Sequence, residues 1–249
     1  MISLKKLSTR GKFLFLAYDQ GMEHGPVDFN DANVDPLYII KIAKDGKYNA
    51  MVFQKGIAEK YNKEILRSKI PLIIKLNGKT SLVEGDPISR QLCTVSEAIK
   101  LKASAVGYTI YIGSAHEQIM FTEFEKILKE AHSKKIPVIA WVYPRGKSLK
   151  KKNPNELMAY ATRVGLELGA DIIKIHPTGS LKDLKWAIKS AGKAKVVAAG
   201  GMKTSEKLLL QQIKIYMDAG FSGLAIGRNV WQSKHPLGIT KKVKNIVFK

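Results

Sequence analysis

One lysine in the sequence is flanked by branched apolar residues and is followed at once by turn-forming residues. Lys174 lies in the run 170–175 (ADIIKI), which leads into 176–179 (HPTG). A short apolar run that ends near proline and glycine predicts a buried strand entering a loop. A buried lysine must either pair with a carboxylate or have a depressed pKa. An uncharged amine could form a Schiff base with a ketone or aldehyde, whereas an internal ion pair is the equally supported alternative.

A second lysine has a similar setting. Lys75 lies within the branched run 71–76 (PLIIKL), and strand periodicity alone does not distinguish it from Lys174. We rank Lys174 higher because its strand is predicted to neighbour Tyr143 and the glycine-rich turns described below. Asp19 closes the apolar run 13–18 (FLFLAY). We expect this carboxylate either to pair with an inward lysine or to bind substrate hydroxyl groups.

Aromatic residues close the strand that precedes Lys174. The run 136–143 (IPVIAWVY) is followed by Pro144, Arg145 and a glycine. Trp141 and Tyr143 share one face, because side chains alternate along a strand. If both polar faces point inward, Tyr143 and Lys174 lie on neighbouring strands about 4.8 Å apart. A phenol next to an amine can move the proton of an enamine carbon, although core packing would explain either aromatic residue alone.

Two glycine turns follow the last two predicted strands. Gly200-Gly201 comes after 195–199 (KVVAA), and Gly227-Arg228 comes after 223–226 (GLAI). Glycine lets backbone N–H groups approach an anion closely, and arginine adds a fixed cation. Most Gly-Gly pairs are simply turns, but two such turns on these strands together predict a phosphate site.

The predicted elements alternate strictly between strand and helix. Strands are predicted at 13–18, 50–53, 71–76, 105–111, 136–143, 170–175, 195–199 and 223–226. Helices are predicted at 35–44, 56–66, 96–103, 117–133, 154–168, 182–191, 204–219 and 236–247, and a polar loop at 77–91. This α/β pattern predicts a (β/α)8 TIM barrel spanning 1–249 as a single domain, with an open doubly wound sheet as the runner-up. A barrel active site lies at the carboxyl ends of the strands, where the polar residues above are found.

Composition limits the classes of function. The chain is 45% hydrophobic and 25% charged, as is ordinary for a globular protein, and its net charge is +21. We assign this charge to a lysine-rich background and an anionic substrate; nucleic acid is a weaker option because no basic stripe alternates with aromatic residues. The single cysteine, Cys93, and the lack of a signal-like or membrane-spanning apolar run predict a cytoplasmic location. His116, His132 and His235 are isolated, so we expect no metal site.

Four motifs together resemble the archaeal-type class I fructose-bisphosphate aldolases, which are related in mechanism to deoxyribose-phosphate aldolase. They are 17–26 (AYDQGMEHGP), 141–146 (WVYPRG), 169–174 (GADIIK), and the pair formed by Gly200-Gly201 and 226–232 (IGRNVWQ). The resemblance implies a barrel that acts on a phosphorylated sugar in glycolysis or gluconeogenesis, without a cofactor or metal. It also implies a large homo-oligomer, which in this family is often a decamer.

The resemblance also implies roles for individual residues. Lys174 would form the Schiff base, Tyr143 would donate a proton, and Asp19 or Tyr143 would accept the proton of the C4 hydroxyl. Implied substrate contacts are Asp19, Gln20, His24, Asp28, Trp141, Tyr143, Pro144, Arg145, Lys174, Ile175, His176, Ala199, Gly200, Gly201, Gly227 and Arg228. One departure is His176-Pro177, since the family tends to have a different pair of residues after the lysine.

Two other interpretations remain open at this stage. A related Schiff-base synthase could act on another sugar phosphate, in a pathway to aromatic precursors. A non-catalytic barrel that binds phosphate or nucleic acid is suggested only by the net charge of +21; it predicts salt-sensitive binding and no imine.

Overall fold

The computed structural model describes residues 2–249 and contains a closed eight-stranded barrel. The strands in chain order are β1 (Phe13–Ala17), β2 (Ala50–Gln54), β3 (Leu72–Lys75), β4 (Asn77–Gly78), β5 (Arg90–Gln91), β6 (Ala105–Ile112), β7 (Val138–Pro144), β8 (Ile172–Ile175), β9 (Lys195–Ala199) and β10 (Gly223–Ile226). All except β4 and β5 form the barrel in the order β1-β2-β3-β6-β7-β8-β9-β10, and β10 pairs with β1. The predicted barrel is confirmed, and the open doubly wound sheet is wrong.

Helices cover the outside of the barrel and also cap some of its loops. They are α1 (Gly21–His24), α2 (Pro36–Asp45), α3 (Lys55–Lys60), α4 (Asn62–Ser68), α5 (Val95–Lys100), α6 (Glu117–Ser133), α7 (Pro154–Glu167), α8 (Leu181–Ser190), α9 (Glu206–Ala219), α10 (Arg228–Trp231) and α11 (Pro236–Val247). The local sequence explains where several of these helices begin. Asp35 accepts a hydrogen bond from the backbone of Leu37 (2.9 Å), and Ser180 and Asp183 form a capping box.

Three local expectations need correction. The single helix predicted over 56–66 is two helices, because the backbone at Tyr61 leaves the helical region (φ −110°, ψ 22°). The polar loop predicted over 77–91 contains the β4–β5 antiparallel pair, whose two-residue strands are too short to show a periodic pattern. The helix predicted over 204–219 begins two residues later, at Glu206, because Ser205 is its cap.

The facing of β8 follows from its contacts with the helical layer. A Cβ added to Gly165 of α7 would lie 2.8 Å from the side chain of Ile173, so Ile173 points outward. Alternation then directs Ile172 and Lys174 into the barrel. Along residues 2–249, every helix falls short of the length or apolar character that a membrane span requires.

Candidate active site

A cavity of about 430 Å³ lies at the carboxyl ends of the barrel strands. It brings together polar side chains from strands that are far apart in the sequence. Its lining consists of Ala17, Asp19, Gln20, Glu23, His24, Lys75, Trp141, Tyr143, Arg145, Lys174, His176, Ala199, Gly200, Gly201, Met202, Ala225, Gly227 and Arg228. In the described chain, residues 2–249, no group of three or more His, Cys, Asp or Glu side chains is arranged to hold a metal ion.

Lys174 presents a buried amine with no carboxylate partner. Its exposed fraction is 6%, and none of the ion pairs among residues 2–249 includes it. Its Nζ lies 5.0 Å from the centre of the Trp141 ring, which belongs to the residue in register with it on β7. Burial lowers the pKa of Lys174 to about 8, assisted by the charge of Lys75 and opposed by Asp19. Roughly a tenth of the amine is therefore uncharged at pH 7, far more than for an exposed lysine.

Lys75 enters the same cavity but is already paired. Its Nζ lies 3.5 Å from Oδ2 of Asp19, and both residues are 5% exposed. Burial alone would raise the pKa of Asp19, but Lys174 and Lys75 together bring it below its ordinary value. Asp19 is consequently a carboxylate at neutral pH. The alternative that the sequence left open, an inward lysine held by an ion pair, describes Lys75.

Trp141 occupies space that a glycine leaves free. A Cβ added to Gly107 of β6 would lie 1.6 Å from Cζ3 of Trp141, so the indole ring lies directly over that strand. Its Nε1 is buried and has no hydrogen-bond partner within residues 2–249, as is also true of Nε2 of Gln20. Both side chains line the cavity. Two donors are thus available for the hydroxyl groups of a bound ligand.

Tyr143 is not the direct neighbour of Lys174 that strand alternation predicted. Trp141 is in register with Lys174, and Tyr143 lies two residues further along β7, about 6.6 Å higher on the same face. There its ring stacks on His176, with the ring centres 4.6 Å apart and an interplanar angle of 29°. Burial holds the pKa of Tyr143 well above its ordinary value, so the phenol keeps its proton.

His176, where the sequence departs from the family pattern, contributes an uncharged ring. Burial lowers its pKa to about 4, and the charges of Lys174, Arg145 and Arg228 act in the same direction. The side chain adds no positive charge to the cavity near neutral pH and supports the Tyr143 ring by stacking.

A network centred on Glu23 was missed by sequence reasoning. Oε1 of Glu23 accepts hydrogen bonds from Nη1 of Arg145 (2.6 Å) and from the hydroxyl of Tyr111 (3.0 Å). The guanidinium of Arg145 also lies over the rings of Tyr111 and Tyr143, 5.4 and 5.7 Å from their centres. Glu23 lies within the 17–26 motif, but only the folded register shows which arginine it holds.

A second arginine lies beside the glycine turns. Nη1 of Arg228 is 3.5 Å from Oδ1 of Asp28, whose other oxygen is 2.7 Å from Nδ1 of His24. Gly227 permits close packing against β1, since a Cβ there would lie 2.5 Å from the carbonyl oxygen of Ala17. Gly201 has a φ of +65°, which favours glycine.

The buried amide of Asn229 joins the two turns. It donates to the carbonyl oxygens of Gly200 (2.8 Å) and Met202 (2.9 Å), while its oxygen accepts from the backbone of Thr204 (2.9 Å). The turn after β9 is thus fixed to the turn after β10. Such a rigid pair of turns, with an arginine beside it, forms a concave site suited to an anion.

Three predicted contact residues lie outside the cavity lining. Ile175 and Pro144 alternate with the inward-facing Lys174 and Tyr143, so they face away from the barrel interior. Asp28 lies behind His24 and Arg228 and holds both. The remaining predicted contacts all line the cavity, together with five residues that were not predicted as contacts: Ala17, Glu23, Lys75, Met202 and Ala225.

Comparison with known proteins gives a consistent set of relatives. Residues 13–233 match the family model described as DeoC/LacD family aldolase. The fructose-bisphosphate aldolase class 1 of Thermoproteus tenax is 46% identical over 248 residues, which cover 98% of this chain and 93% of that protein. The fructose-bisphosphate aldolase/6-deoxy-5-ketofructose 1-phosphate synthase of Methanocaldococcus jannaschii is 35% identical, with coverage of 96% and 81%.

One similar solved structure captures a reaction intermediate. It is an archaeal fructose-1,6-bisphosphate aldolase whose catalytic lysine is covalently bound to the carbinolamine intermediate of the substrate. Its TM-score is 0.93 at 45% identity, and the match covers 99% of this chain and 98% of that chain.

Proposed function

The chain belongs to the DeoC/LacD family of aldolases, and we propose that it uses Lys174 to cleave fructose 1,6-bisphosphate through a Schiff base. The activity is that of a class I fructose-bisphosphate aldolase, a lyase that reversibly forms dihydroxyacetone phosphate and glyceraldehyde 3-phosphate in glycolysis and gluconeogenesis. The choice of Lys174 as the Schiff-base residue rests on one observation. Lys174 is the cavity lysine that is buried, unpaired and low in pKa.

The first stage joins the enzyme to the sugar. The uncharged amine of Lys174 adds to the C2 carbonyl of the open-chain sugar and gives a carbinolamine. The C2 hydroxyl then leaves as water, and a protonated imine remains. The phenol of Tyr143, which keeps its proton, is a suitable donor to the departing hydroxyl.

The second stage breaks the carbon–carbon bond. Asp19, held as a carboxylate by Lys174 and Lys75, accepts the proton of the C4 hydroxyl. The C3–C4 electron pair moves into the imine, glyceraldehyde 3-phosphate leaves, and an enamine remains on Lys174. Tyr143, which has regained from solvent the proton it gave to the departing hydroxyl, then donates a proton to C3, and Asp19 returns the C4 proton to solvent. Water hydrolyses the imine, which releases dihydroxyacetone phosphate, the free amine of Lys174 and a proton that restores the phenol of Tyr143. The ionisation states favour Asp19 as the base and Tyr143 as the donor.

The two phosphates are assigned to opposite sides of Lys174. The glycine turns after β9 and β10 are on strands close to β8, so they suit the phosphate on C1, next to the reacting carbonyl. Arg145 is at the rim on the other side, after β7, and suits the phosphate on C6. The donors of Trp141 and Gln20 are available to the hydroxyl groups between them.

A coupled assay tests this activity. We expect the purified protein to release dihydroxyacetone phosphate from fructose 1,6-bisphosphate and to keep its rate in excess chelator, because the imine supplies the electron sink. Absence of cleavage would refute the assigned activity. Loss of the rate in chelator would instead refute the Schiff-base mechanism.

A second candidate activity is a Schiff-base synthase that acts on another sugar phosphate. The M. jannaschii relative carries both an aldolase and a synthase name. An assay of cleavage in parallel with synthase turnover separates the two activities. A higher kcat/KM for the synthase reaction would favour the second candidate.

The organisation of the protein beyond the site is also a proposal. We propose a single domain over 1–249, supported by the closure of one barrel, and a homo-oligomer such as a decamer. Trp186 on α8 and Tyr160 on α7 are 59% and 64% exposed, which supports an interface on this face. Light scattering during size-exclusion chromatography tests the oligomer, and a monomer would contradict it.

We further propose a cytoplasmic location, which agrees with the single cysteine. We assign the net charge of +21 to binding of the sugar phosphate and to a lysine-rich background, not to nucleic acid.

A further inference from the structure

The guanidinium of Arg145 is fixed on one edge before any ligand binds. Its Nη1 donates to Glu23, and its plane lies over the rings of Tyr111 and Tyr143. The Arg145 side chain is nevertheless 45% exposed, whereas that of Glu23 is 13% exposed. The arginine therefore reaches the cavity from a buried anchor, and its donors other than Nη1 make no side-chain hydrogen bond to any of residues 2–249, so they can bind a ligand.

Glu23 is itself held from two directions. The hydroxyl of Tyr111 donates to its Oε1 (3.0 Å), and the backbone N–H of Ser81 donates to its carbonyl oxygen (3.1 Å). The hydroxyl of Ser81 donates to the same carbonyl oxygen. The loop between β4 and β5 thus fixes the backbone of Glu23, while β6 fixes its carboxylate. A carboxylate held this firmly can determine where an otherwise flexible arginine points.

The placement of the arginine around the barrel gives this anchor a function. The wall runs β7-β8-β9-β10, so Arg145 after β7 and Arg228 after β10 lie on opposite sides of Lys174. Each arginine is paired with a carboxylate of the same short segment after β1, Glu23 for Arg145 and Asp28 for Arg228. One segment therefore sets the positions of two cations on either side of the reactive amine.

We propose that Glu23 is a positioning residue that holds Arg145 ready for the C6 phosphate and so determines the preference for a bisphosphate over a monophosphate. This inference rests on the proposed function. It gives Glu23 a role different from those of Lys174 and Tyr143, because Glu23 acts through Arg145 rather than on the reacting carbons.

Electrostatics alone would give the opposite result, which makes the inference testable. Glu23 is a negative charge near a proposed phosphate site, so its removal should strengthen anion binding if charge were its only effect. If Glu23 positions Arg145, its removal should instead weaken binding of the C6 phosphate. A hydrogen bond to a charged group contributes about 1.5–3 kcal/mol, so the loss should be roughly 10- to 100-fold.

The experiment compares fructose 1,6-bisphosphate with fructose 1-phosphate, which lacks the C6 phosphate. For Glu23→Ala, we expect the ratio of the two kcat/KM values to fall roughly 10- to 100-fold, because the loss with fructose 1,6-bisphosphate is larger than the loss with fructose 1-phosphate. Glu23→Gln, which keeps an acceptor oxygen, should recover most of the ratio. Glu84→Ala removes an exposed carboxylate from the same loop region and should leave the ratio unchanged.

A second variant keeps the test decisive if Glu23→Ala does not fold. Tyr111→Phe removes one hydrogen bond to Glu23 and should lower the ratio about three- to tenfold. A ratio that is unchanged or increased in the folded variants would overturn the inference. Wild-type protein that cleaves neither sugar would instead refute the proposed function, so the two failures are distinguishable.

Discussion

Two lysines share the interior of this barrel, and their surroundings differ. Lys174 on β8 and Lys75 on β3 are almost equally buried, at 6% and 5% exposure. Lys75 lies 3.5 Å from the carboxylate of Asp19, whereas Nζ of Lys174 faces the ring of Trp141, 5.0 Å from the ring centre. The same residue type is therefore a structural cation on one strand and a candidate nucleophile on another.

The comparison shows that burial alone does not make a lysine reactive. Both side chains are buried, but only that of Lys75 lies against a carboxylate, 3.5 Å from Oδ2 of Asp19, among the ion pairs of residues 2–249. None of the ion pairs within the described residues includes Lys174, and its pKa falls to about 8. Lys75 affects the amine of Lys174 indirectly. It forms an ion pair with Asp19, and its positive charge helps to lower the pKa of Lys174.

The largest expected effect comes from exchanging each lysine for methionine. Lys174→Met should lower aldol cleavage by about 10⁵-fold or more, because no imine can form. Lys75→Met should retain activity within about 100-fold of wild type, since its contribution is electrostatic. Steady-state cleavage of fructose 1,6-bisphosphate measures both values. If the Lys75 variant were the inactive one, the two lysines would have been assigned the wrong way round.

The two tyrosines near these lysines, Tyr111 and Tyr143, also differ in their contacts. The hydroxyl of Tyr111 donates a hydrogen bond to Glu23, whereas the ring of Tyr143 stacks on His176. Tyr143→Phe should lower kcat about 10²- to 10⁴-fold while Lys174 still forms the imine. Tyr111→Phe, assayed with fructose 1-phosphate, should change kcat only about threefold. Equal losses for the two variants would contradict the role of Tyr143 as proton donor.

The same methionine variants should change stability in opposite directions. Lys174→Met removes a penalty of about 3 kcal/mol at pH 7, because the folded protein resists protonation that the unfolded chain accepts. Lys75→Met leaves Asp19 buried without its partner, at a cost of roughly 3 kcal/mol. We expect Tm to rise for the first and to fall for the second, by about 5–10 °C each.

The stability gain of Lys174→Met also has a defined pH dependence. It should be full below pH 8, where the folded and unfolded wild-type chains both hold the proton. It should disappear as the pH rises from about 8 towards the ordinary lysine pKa near 10.4, because the unfolded chain then loses the proton as well. Thermal unfolding at several pH values measures this. A gain that did not vary with pH would point to packing rather than charge.

The smallest expected effect is a shift in the pH profile. The acid limb of kcat/KM should have a midpoint near pH 8, set by the amine of Lys174. The charged or titratable groups that line the same cavity include Asp19, Glu23, Lys75, Arg145, His176 and Arg228. Lys75→Met removes the positive charge that helps to lower the pKa of Lys174, so the midpoint should rise by about one pH unit. An unchanged midpoint would show that Lys75 does not tune the amine.

Strand pattern predicted the barrel, but it could not predict register. The apolar runs around Lys75 and Lys174 predicted both strands, and alternation predicted which side chains share a face, because both properties are local. Which side chains meet depends on the stagger of the closed barrel, a property of all eight strands together. Alternation therefore placed Tyr143 beside Lys174, where the barrel places Trp141.

Other parts of the site depend on contacts that have no local signature. Glu23 and Tyr111 are 88 residues apart, and nothing in either segment indicates the hydrogen bond between them. Gly107 reads as an ordinary strand residue until the Trp141 ring is seen to need its missing side chain. Ile175 and Pro144 were implied by motif position, but their strands direct them away from the cavity.

Identification of the lysine that bonds to substrate tests the central claim most directly. The protein is incubated with dihydroxyacetone phosphate, reduced with borohydride, digested, and its peptides are mapped by mass spectrometry. We expect the stable adduct on Lys174, with Lys75 unmodified. An adduct on Lys75, or no adduct on any lysine, would contradict the assignment of Lys174 as the Schiff-base residue.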